Sequence, residues 1–328
     1  MFEIGLVLIA IVFILLMVNL LQAQENPRYN MLFDRLILAV HLMLAMAGAV
    51  ILFSPSAAGM EMTAAQGQLF GVSFLAMGTW GVIVGITAVR QFIARYVPFR
   101  ADAPVHTIAL LFAGYLVANT VMTLSQGGLE TLAEVTTAAT IWDVIANQMI
   151  FVLTAVFGVG FLIRRKTMGE LFQRLGIERI SRRQVGLVFR WIAILIVLQW
   201  VGGALTVFLD PEGYELLDGV SGALLGDIDT VWEWAILAMA TGLGEEMLFR
   251  GALQPVFGLT VTAVLFAVVH IQYGFTIITI LVFLMGIALG YLRQKENLTT
   301  TIFVHAGYNF SLGLLGMLAV ALEPFANG

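Results

Sequence analysis

Long apolar stretches separated by short polar segments follow one another along almost the whole chain. About 20 apolar residues in a helix cross the roughly 30 Å hydrocarbon core of a bilayer. Windows of that length predict about ten transmembrane helices, at residues 4–21, 36–53, 69–89, 105–123, 142–163, 191–209, 232–254, 258–271, 275–292 and 298–320. The pattern predicts an all-α, polytopic integral membrane protein with a buried polar site among its C-terminal helices.

Basic residues fall in alternate loops, and this second pattern supports the predicted spans. Lysine and arginine follow the first, third, fifth and ninth spans, whereas the intervening loops carry neither. Because cytoplasmic loops carry the basic excess, we expect both the N-terminus and the C-terminus outside. The chain has two lysines beside fourteen arginines, a balance that favours a prokaryotic cell membrane.

The longest basic segment divides five spans from five. Residues 164–190 contain eight lysines and arginines, and their apolar positions over 167–189 predict a basic amphipathic helix on the cytoplasmic surface. The predicted organisation is a five-span region of unknown role at 1–163, this cytoplasmic linker at 164–190 and a second five-span region at 191–328.

The first half contains no group of residues to which chemistry can be assigned. Gly78, Gly81 and Gly85 in the third span predict a close helix–helix packing surface. His41 has no carboxylate at helical spacing, which favours a packed histidine. Asp143 near the outer end of the fifth span is expected to be solvated or to cap a helix.

Composition narrows the chemistry further. Residues are 60% hydrophobic and 11% charged, far from the roughly 25% charged content of soluble domains. The chain has no cysteine, so disulfides, thiolate metal sites and a cysteine nucleophile are excluded. A net charge of −5 argues against a nucleic acid partner. The bilayer is the expected surrounding partner.

One stretch places charge inside an apolar span. Glu245, Glu246 and Arg250 lie in the seventh predicted span, where each charge costs about 2.5–3.5 kcal/mol on insertion scales and usually marks a site. Glu246 and Arg250 are four residues apart, so an ion pair on one helical face is predicted. Glu245 lies on an adjacent face and is free for another role.

Three further polar residues lie at similar depth in neighbouring spans. At 1.5 Å per residue, Glu245, His270, His305 and Asn309 lie about 11 to 18 Å inside the cytoplasmic turns. Because these four side chains lie at a similar depth in the membrane, we expect them to form one site built from three helices. A base kept ionised there needs water, so we expect a cavity open to the cytoplasm.

These motifs resemble those of a known family. Glu-Glu-x-x-x-Arg at 245–250, Phe-x-x-x-His at 266–270 and His-x-x-x-Asn at 305–309 are similar in order and spacing to the motifs of the CAAX prenyl protease and bacteriocin-processing (CPBP, or Abi) family of intramembrane glutamic endopeptidases. The resemblance covers roughly residues 190–322.

The resemblance implies hydrolysis of a peptide bond without a cofactor. Glu245 is expected to be the general base, and His270 to hold the attacking water. His305 and Asn309 are expected to stabilise the oxyanion, and Glu246 with Arg250 to keep Glu245 oriented. The expected partner is a peptide or protein substrate, possibly lipidated or membrane-bound.

Two alternatives stay open. Glu245, His270 and His305 are a ligand set found for catalytic zinc, so a zinc-dependent intramembrane metalloprotease would use the same residues, although Asn309 would then have no role. A different class is a non-catalytic transporter or immunity-type membrane protein. Intact motif positions disfavour it, as does the confinement of polar residues to the second half.

Overall fold

The computed structural model describes residues 2–54, 64–125, 128–274 and 276–326, and helices make up 84% of it with no strand. The α-helices are α1 (Phe2–Ala23), α2 (Pro27–Phe53), α3 (Ala64–Gly85), α4 (Thr87–Ile93), α5 (Pro104–Leu124), α6 (Gly128–Val135), α7 (Ile141–Gly158), α8 (Met168–Leu175), α9 (Arg182–Leu209), α10 (Pro211–Leu225), α11 (Val231–Glu245), α12 (Gln254–Val268), α13 (Ile277–Lys295) and α14 (Leu298–Ala326). A π-helical segment, Glu246–Leu253, joins α11 to α12. The predicted all-α membrane fold is confirmed.

Polar caps fix where several spans begin. Thr140 and Asp143 form a capping box at the start of α7, so the prediction of a capping role for Asp143 is confirmed. Thr230 with Glu233 caps α11 in the same way. Such caps satisfy backbone N–H groups that have no partner inside the helix. The two caps therefore fix the residues at which α7 and α11 begin, and these two helices pack against each other.

Nine helical stretches of the described residues are long and apolar enough to cross a membrane. Ten were predicted, and the difference lies in Val231–Val268, a run of 38 residues that contains the seventh and eighth predicted spans. A straight helix of that length would measure about 57 Å, more than a bilayer's thickness. Gly258 interrupts the run with a φ of 77° and a ψ of 175°, at the turn that the sequence predicts.

The segment between the two halves differs from its prediction. A single amphipathic helix over 167–189 is wrong, because α8 ends at Gly176, whose φ is 78°, and residues 182–189 form the first turns of α9. Leu171 and Leu175 of α8 are buried in a cluster with Met247 of the π-helical segment. The apolar face of α8 therefore packs on protein.

The first half is held together by close helix packing. A Cβ atom on Gly78 of α3 would lie 2.3 Å from the backbone nitrogen of Ala45 in α2, so only glycine permits this approach. Gly81 lies against the ring of His41, which also contacts the carbonyl of Ile37 at 2.7 Å and the hydroxyl of Tyr115. The predictions of a glycine packing surface and of a packed His41 are confirmed.

Helix α7 joins the first half to the second. The ring of Phe151 in α7 meets that of Phe249 in the π-helical segment edge-on, with centroids 6.3 Å apart. Phe249 in turn packs edge-on against Phe266 of α12 at 5.3 Å. All of these aromatic side chains lie in or against the main apolar core. The predicted five-span region is thus in direct contact with the helices that carry the candidate site.

Candidate active site

A change of helix type occurs where the charged residues begin. Helix α11 ends at Glu245, and the next turns, Glu246–Leu253, are π-helical. A π-helix is wider than an α-helix and is found mostly at functional sites. Nothing in the residue pattern predicts it, because the pattern reports which faces are apolar and not which backbone hydrogen bonds form.

Glu246 and Arg250 form the ion pair that their spacing predicts. Arg250 Nη1 lies 2.9 Å from Glu246 Oε1, and the two side chains are 1% and 0% exposed. The guanidinium lies 4.0 Å from the centroid of the Phe266 ring, and Nη2 donates to the carbonyl oxygen of Gly286 at 3.4 Å. Cation–π contact and ion pairing together compensate the lost hydration of Arg250.

Glu246 also holds an imidazole. His305 Nδ1 lies 2.9 Å from Glu246 Oε1. Since an ionised carboxylate only accepts hydrogen bonds, Nδ1 carries the hydrogen, and Nε2 of the neutral ring keeps a lone pair. Nε2 points to the other glutamate, 3.9 Å from Glu245 Oε2. Glu246 therefore fixes both the orientation and the tautomer of His305.

His270 is fixed in the same way from the opposite side. It follows α12, and its Nδ1 donates to the carbonyl oxygen of Phe266 at 2.6 Å. Its Nε2 then carries the lone pair and lies 3.8 Å from Glu245 Oε2. The ring of Tyr273 stacks parallel to His270, with centroids 6.1 Å apart. Two imidazole nitrogens with the same chemical character thus face one carboxylate oxygen.

Glu245 lies at the centre of this arrangement. Its Oε2 is buried and accepts no hydrogen bond from any of the described residues. The distances of 3.8 and 3.9 Å to the two Nε2 atoms exceed those of direct hydrogen bonds. The side chains of Glu245 and His270 are 12% and 18% exposed, whereas the Glu246–Arg250 pair is closed. Glu245 is therefore the less enclosed of the two carboxylates, and its buried Oε2 is left without a protein donor among the described residues.

Asn309 lies one turn beyond His305 on α14. Its Nδ2 donates to Thr241 Oγ1 at 3.0 Å, and Thr241 donates its own hydrogen to the carbonyl oxygen of Leu237 at 2.8 Å. The primary amide has a second N–H, which this contact leaves for another acceptor. Thr241 precedes Glu245 by one turn of α11, and the sequence analysis missed this positioning contact.

A second missed residue comes from the first half. The side-chain oxygen of Gln148 in α7 packs directly against Gly244: a Cβ atom built on Gly244 would lie only 2.3 Å from this oxygen. This oxygen is buried and has no hydrogen-bond partner among the described residues. Gln148 is an uncharged polar residue in an apolar span with no charged residue at helical spacing beyond it, so the sequence offered no partner by which to find it. The structure places its amide beside the residue that precedes Glu245.

The zinc alternative can be compared with the geometry. Tetrahedral zinc with ligands at 2.0 to 2.2 Å holds its ligand atoms about 3.4 Å apart. The separations from Glu245 Oε2 to the two histidines are 3.8 and 3.9 Å. No group of three His, Cys, Asp or Glu side chains in the described part of the chain is placed to hold a metal ion. These side chains would have to move closer together to bind zinc, and metal dependence stays a question for experiment.

Comparison with known families supports the resemblance inferred from the motifs. Residues 227–311, about a quarter of the chain, match the family described as type II CAAX prenyl endopeptidase Rce1-like. The matched segment begins just before α11 and contains Glu245, Glu246, Arg250 and the three polar residues of the other helices. No curated protein and no solved structure matches the chain.

Proposed function

We propose, from the match of residues 227–311 to the type II CAAX prenyl endopeptidase family, that this membrane protein is an intramembrane endopeptidase with Glu245 as its general base. One observation carries the proposal: Nε2 of His270 and Nε2 of His305 face the same oxygen of Glu245, at 3.8 and 3.9 Å. A water molecule in contact with Glu245 would be close to both rings. Such an arrangement suits hydrolysis.

His270 would orient the attacking water. Its Nε2 accepts a hydrogen bond because Nδ1 donates to Phe266, so a water can donate one hydrogen to Glu245 and the other to His270. The lone pairs of the water oxygen then point away from both groups, toward a peptide carbonyl. Glu245 takes the proton as the C–O bond forms, a role worth roughly 10²–10⁴ in rate.

His305 and Asn309 would stabilise the oxyanion. With Nδ1–H held by Glu246, His305 would donate to the oxyanion from Nε2 as an imidazolium, in which both ring nitrogens carry a hydrogen. Asn309 adds its remaining N–H. Losing one such donor costs about 10²–10³ in turnover. When the C–N bond breaks, the leaving amine takes the proton that Glu245 received.

The substrate would be a peptide or protein, possibly lipidated or membrane-bound. In the orientation that the basic loops predict, the site would lie nearer the cytoplasmic face. A prenylated C-terminal peptide, the leader of a bacteriocin or signalling peptide and a segment of another membrane protein all fit this chemistry. The excess of arginine over lysine favours a prokaryotic origin, and a prokaryotic origin would favour the last two substrates.

A proteomic comparison tests the proposal in cells. Cells carrying the wild type should accumulate cleaved peptides that are absent from cells carrying Glu245→Gln. The matched control is Glu215→Gln, which removes an exposed carboxylate from α10 and should leave the cleaved peptides unchanged. Identical peptide profiles for the wild type and Glu245→Gln would favour a transporter or an immunity-type protein.

A chelator separates the two enzyme mechanisms. Cleavage by the purified protein should survive dialysis against a strong chelator, because water activation by Glu245 needs no ion. Loss of cleavage on dialysis, with recovery on adding zinc, would support the metalloprotease alternative instead.

A further inference from the structure

A large cavity lies in the first half, away from the candidate active site. Its volume is about 660 Å³, and its apolar walls come from α1, α2, α5, α7 and the π-helical segment. They include Leu15, Ile37, Phe112, Phe151, Leu248 and Leu253. None of the six candidate active-site residues lines it. The volume and the apolar lining suit a hydrocarbon chain.

Four arginines from the loops beside α5 and α7 and from α8 also face this cavity. Arg100, Arg164, Arg165 and Arg174 all line this cavity. Arg164 Nε donates to Asn19 Oδ1 at 2.7 Å, and Arg174 Nη1 donates to the carbonyl oxygen of Gly251 at 3.0 Å. The lining is thus mainly apolar, with a few polar side chains such as His41 and Tyr115, and it includes four arginines.

Carboxylates do not neutralise this cluster. Arg100 pairs with the exposed Asp102 at 3.2 Å. Among the described residues, Arg164, Arg165 and Arg174 have no carboxylate within ion-pair distance. Arg165 Nη1 contacts only the carbonyl oxygen of Val159. Three positive charges therefore share a partly buried region without a compensating anion.

The guanidinium groups of this cluster are partly desolvated and also repel one another. Burial, together with the neighbouring arginines, lowers the pKa of Arg164 to about 10 and that of Arg174 to about 10. Glu170 is the acidic residue that counters this effect at Arg165, and its carboxylate already accepts the backbone N–H of Lys166 at 2.7 Å. An external anion would remove the repulsion. Phosphate suits several guanidinium groups at once.

We propose that this cavity binds one anionic phospholipid, with its phosphate among Arg164, Arg165 and Arg174 and an acyl chain along the apolar walls. Basic pockets between transmembrane helices on the cytoplasmic side are known to select such headgroups. A free phosphate would leave the apolar part unused. The inference rests on the lining of this cavity and is independent of the proposed protease activity.

The bound lipid would contact the π-helical segment Glu246–Leu253, which carries two residues of the candidate site. Arg174 contacts Gly251, and Leu248 and Leu253 form part of the cavity wall; all three contacts fall within the π-helical segment that carries Glu246 and Arg250. The lipid would therefore stabilise the segment that positions the candidate site. This gives the five-span region a defined role.

Native mass spectrometry of the full-length protein tests the proposal. Phosphatidylglycerol should bind at least about tenfold more tightly than phosphatidylcholine with the same acyl chains. The double variant Arg165→Gln/Arg174→Gln should weaken phosphatidylglycerol binding by roughly thirtyfold. The control Arg179→Gln/Arg182→Gln removes two exposed arginines that follow α8 in the chain and do not line the cavity, and it should bind as the wild type does.

A second variant tests the apolar part without removing charge. Gly158 lines the cavity, and a Cβ there meets nothing within 4 Å, so Gly158→Leu should fill the acyl-chain space and weaken lipid binding without disturbing the fold. Gly186→Leu, at an exposed position with equal room, is its control. Equal affinity for the two lipids, displacement of phosphatidylglycerol by equimolar inorganic phosphate, or full binding by Gly158→Leu would overturn the proposal.

Discussion

Two adjacent carboxylates in one helix have different surroundings, and this difference defines the site. Glu246 is fully buried, pairs with Arg250 and accepts from His305. Glu245 is partly exposed and faces two imidazole nitrogens across gaps of 3.8 and 3.9 Å. The first arrangement suits a structural role, and the second leaves Glu245 Oε2 without a hydrogen-bond donor among the described residues. Substitution of each carboxylate should therefore give a different result.

Glu246→Gln should destabilise the fold. Removing one partner of a buried ion pair typically costs about 3–5 kcal/mol, because the other charge remains buried. The thermal unfolding midpoint in detergent measures this loss. Glu215→Gln on the exposed face of α10 should leave the midpoint unchanged, and an equally small effect of Glu246→Gln would show that the Arg250 pair does not stabilise the protein.

Gln148→Leu should lower kcat by about tenfold, the value of one neutral hydrogen bond that its amide would make to the bound substrate. The reason is that the Gln148 amide lies beside Gly244, with a buried oxygen that lacks a partner among the described residues. Stability should not fall, since an unpaired buried polar group does not stabilise a fold. Asn147→Leu changes an exposed residue of the same helix. Equal kcat values for both variants would contradict a role for Gln148.

Residue types and spacing predicted most of the site. The i, i+4 spacing of Glu246 and Arg250 predicted their ion pair, and similar depth predicted the meeting of Glu245 with His270 and His305. The contacts of Thr241 with Asn309 and of Gln148 with Gly244 were not predictable. They depend on which sides of two helices pack against each other. A single polar side chain in an apolar span does not reveal its neighbour.

Some helices are predicted by the length of their apolar stretch, and others are not. Spans such as α1, α5 and α14 were predicted because a membrane requires about 20 apolar residues. Helices α4, α6, α8 and α10 are too short or too polar for that window. The π-helical segment was missed because hydrogen-bond register is not encoded in hydrophobic pattern.

Gly258 is the position where the long α11–α12 run changes direction. Its φ of 77° is in a region that side chains with a Cβ rarely adopt, so Gly258→Ala should destabilise the protein by about 1–2 kcal/mol. Gly222 lies in α10 with open space around it. Gly222→Ala should be neutral or slightly stabilising, and thermal unfolding of both variants compares the two glycines directly.

Across the whole molecule, the arrangement of basic loops predicts how the protein sits in the membrane. Because the chain has no cysteine, single cysteines can be introduced and labelled without background. A cysteine at Arg179 should react only with reagent applied from the cytoplasm, and one at Glu215 only from outside. The reverse pattern would invert the predicted orientation.

Contact between the two halves was the feature least accessible from sequence. The sequence of the first five spans contains no group of residues to which chemistry can be assigned. Even so, α7 packs on the π-helical segment through Phe151 and Phe249, and Gln148 contacts Gly244. Such packing depends on the shape of both surfaces, which one sequence does not show. The first half is part of the environment of the site.

The most direct test of glutamate-based hydrolysis is the single-turnover cleavage rate of purified protein after removal of metals. We expect the wild type to cleave its substrate, and Glu245→Gln to be slower by about 10² or more with an unchanged unfolding midpoint. Cleavage by folded Glu245→Gln at the wild-type rate would contradict the assignment of Glu245 as the base.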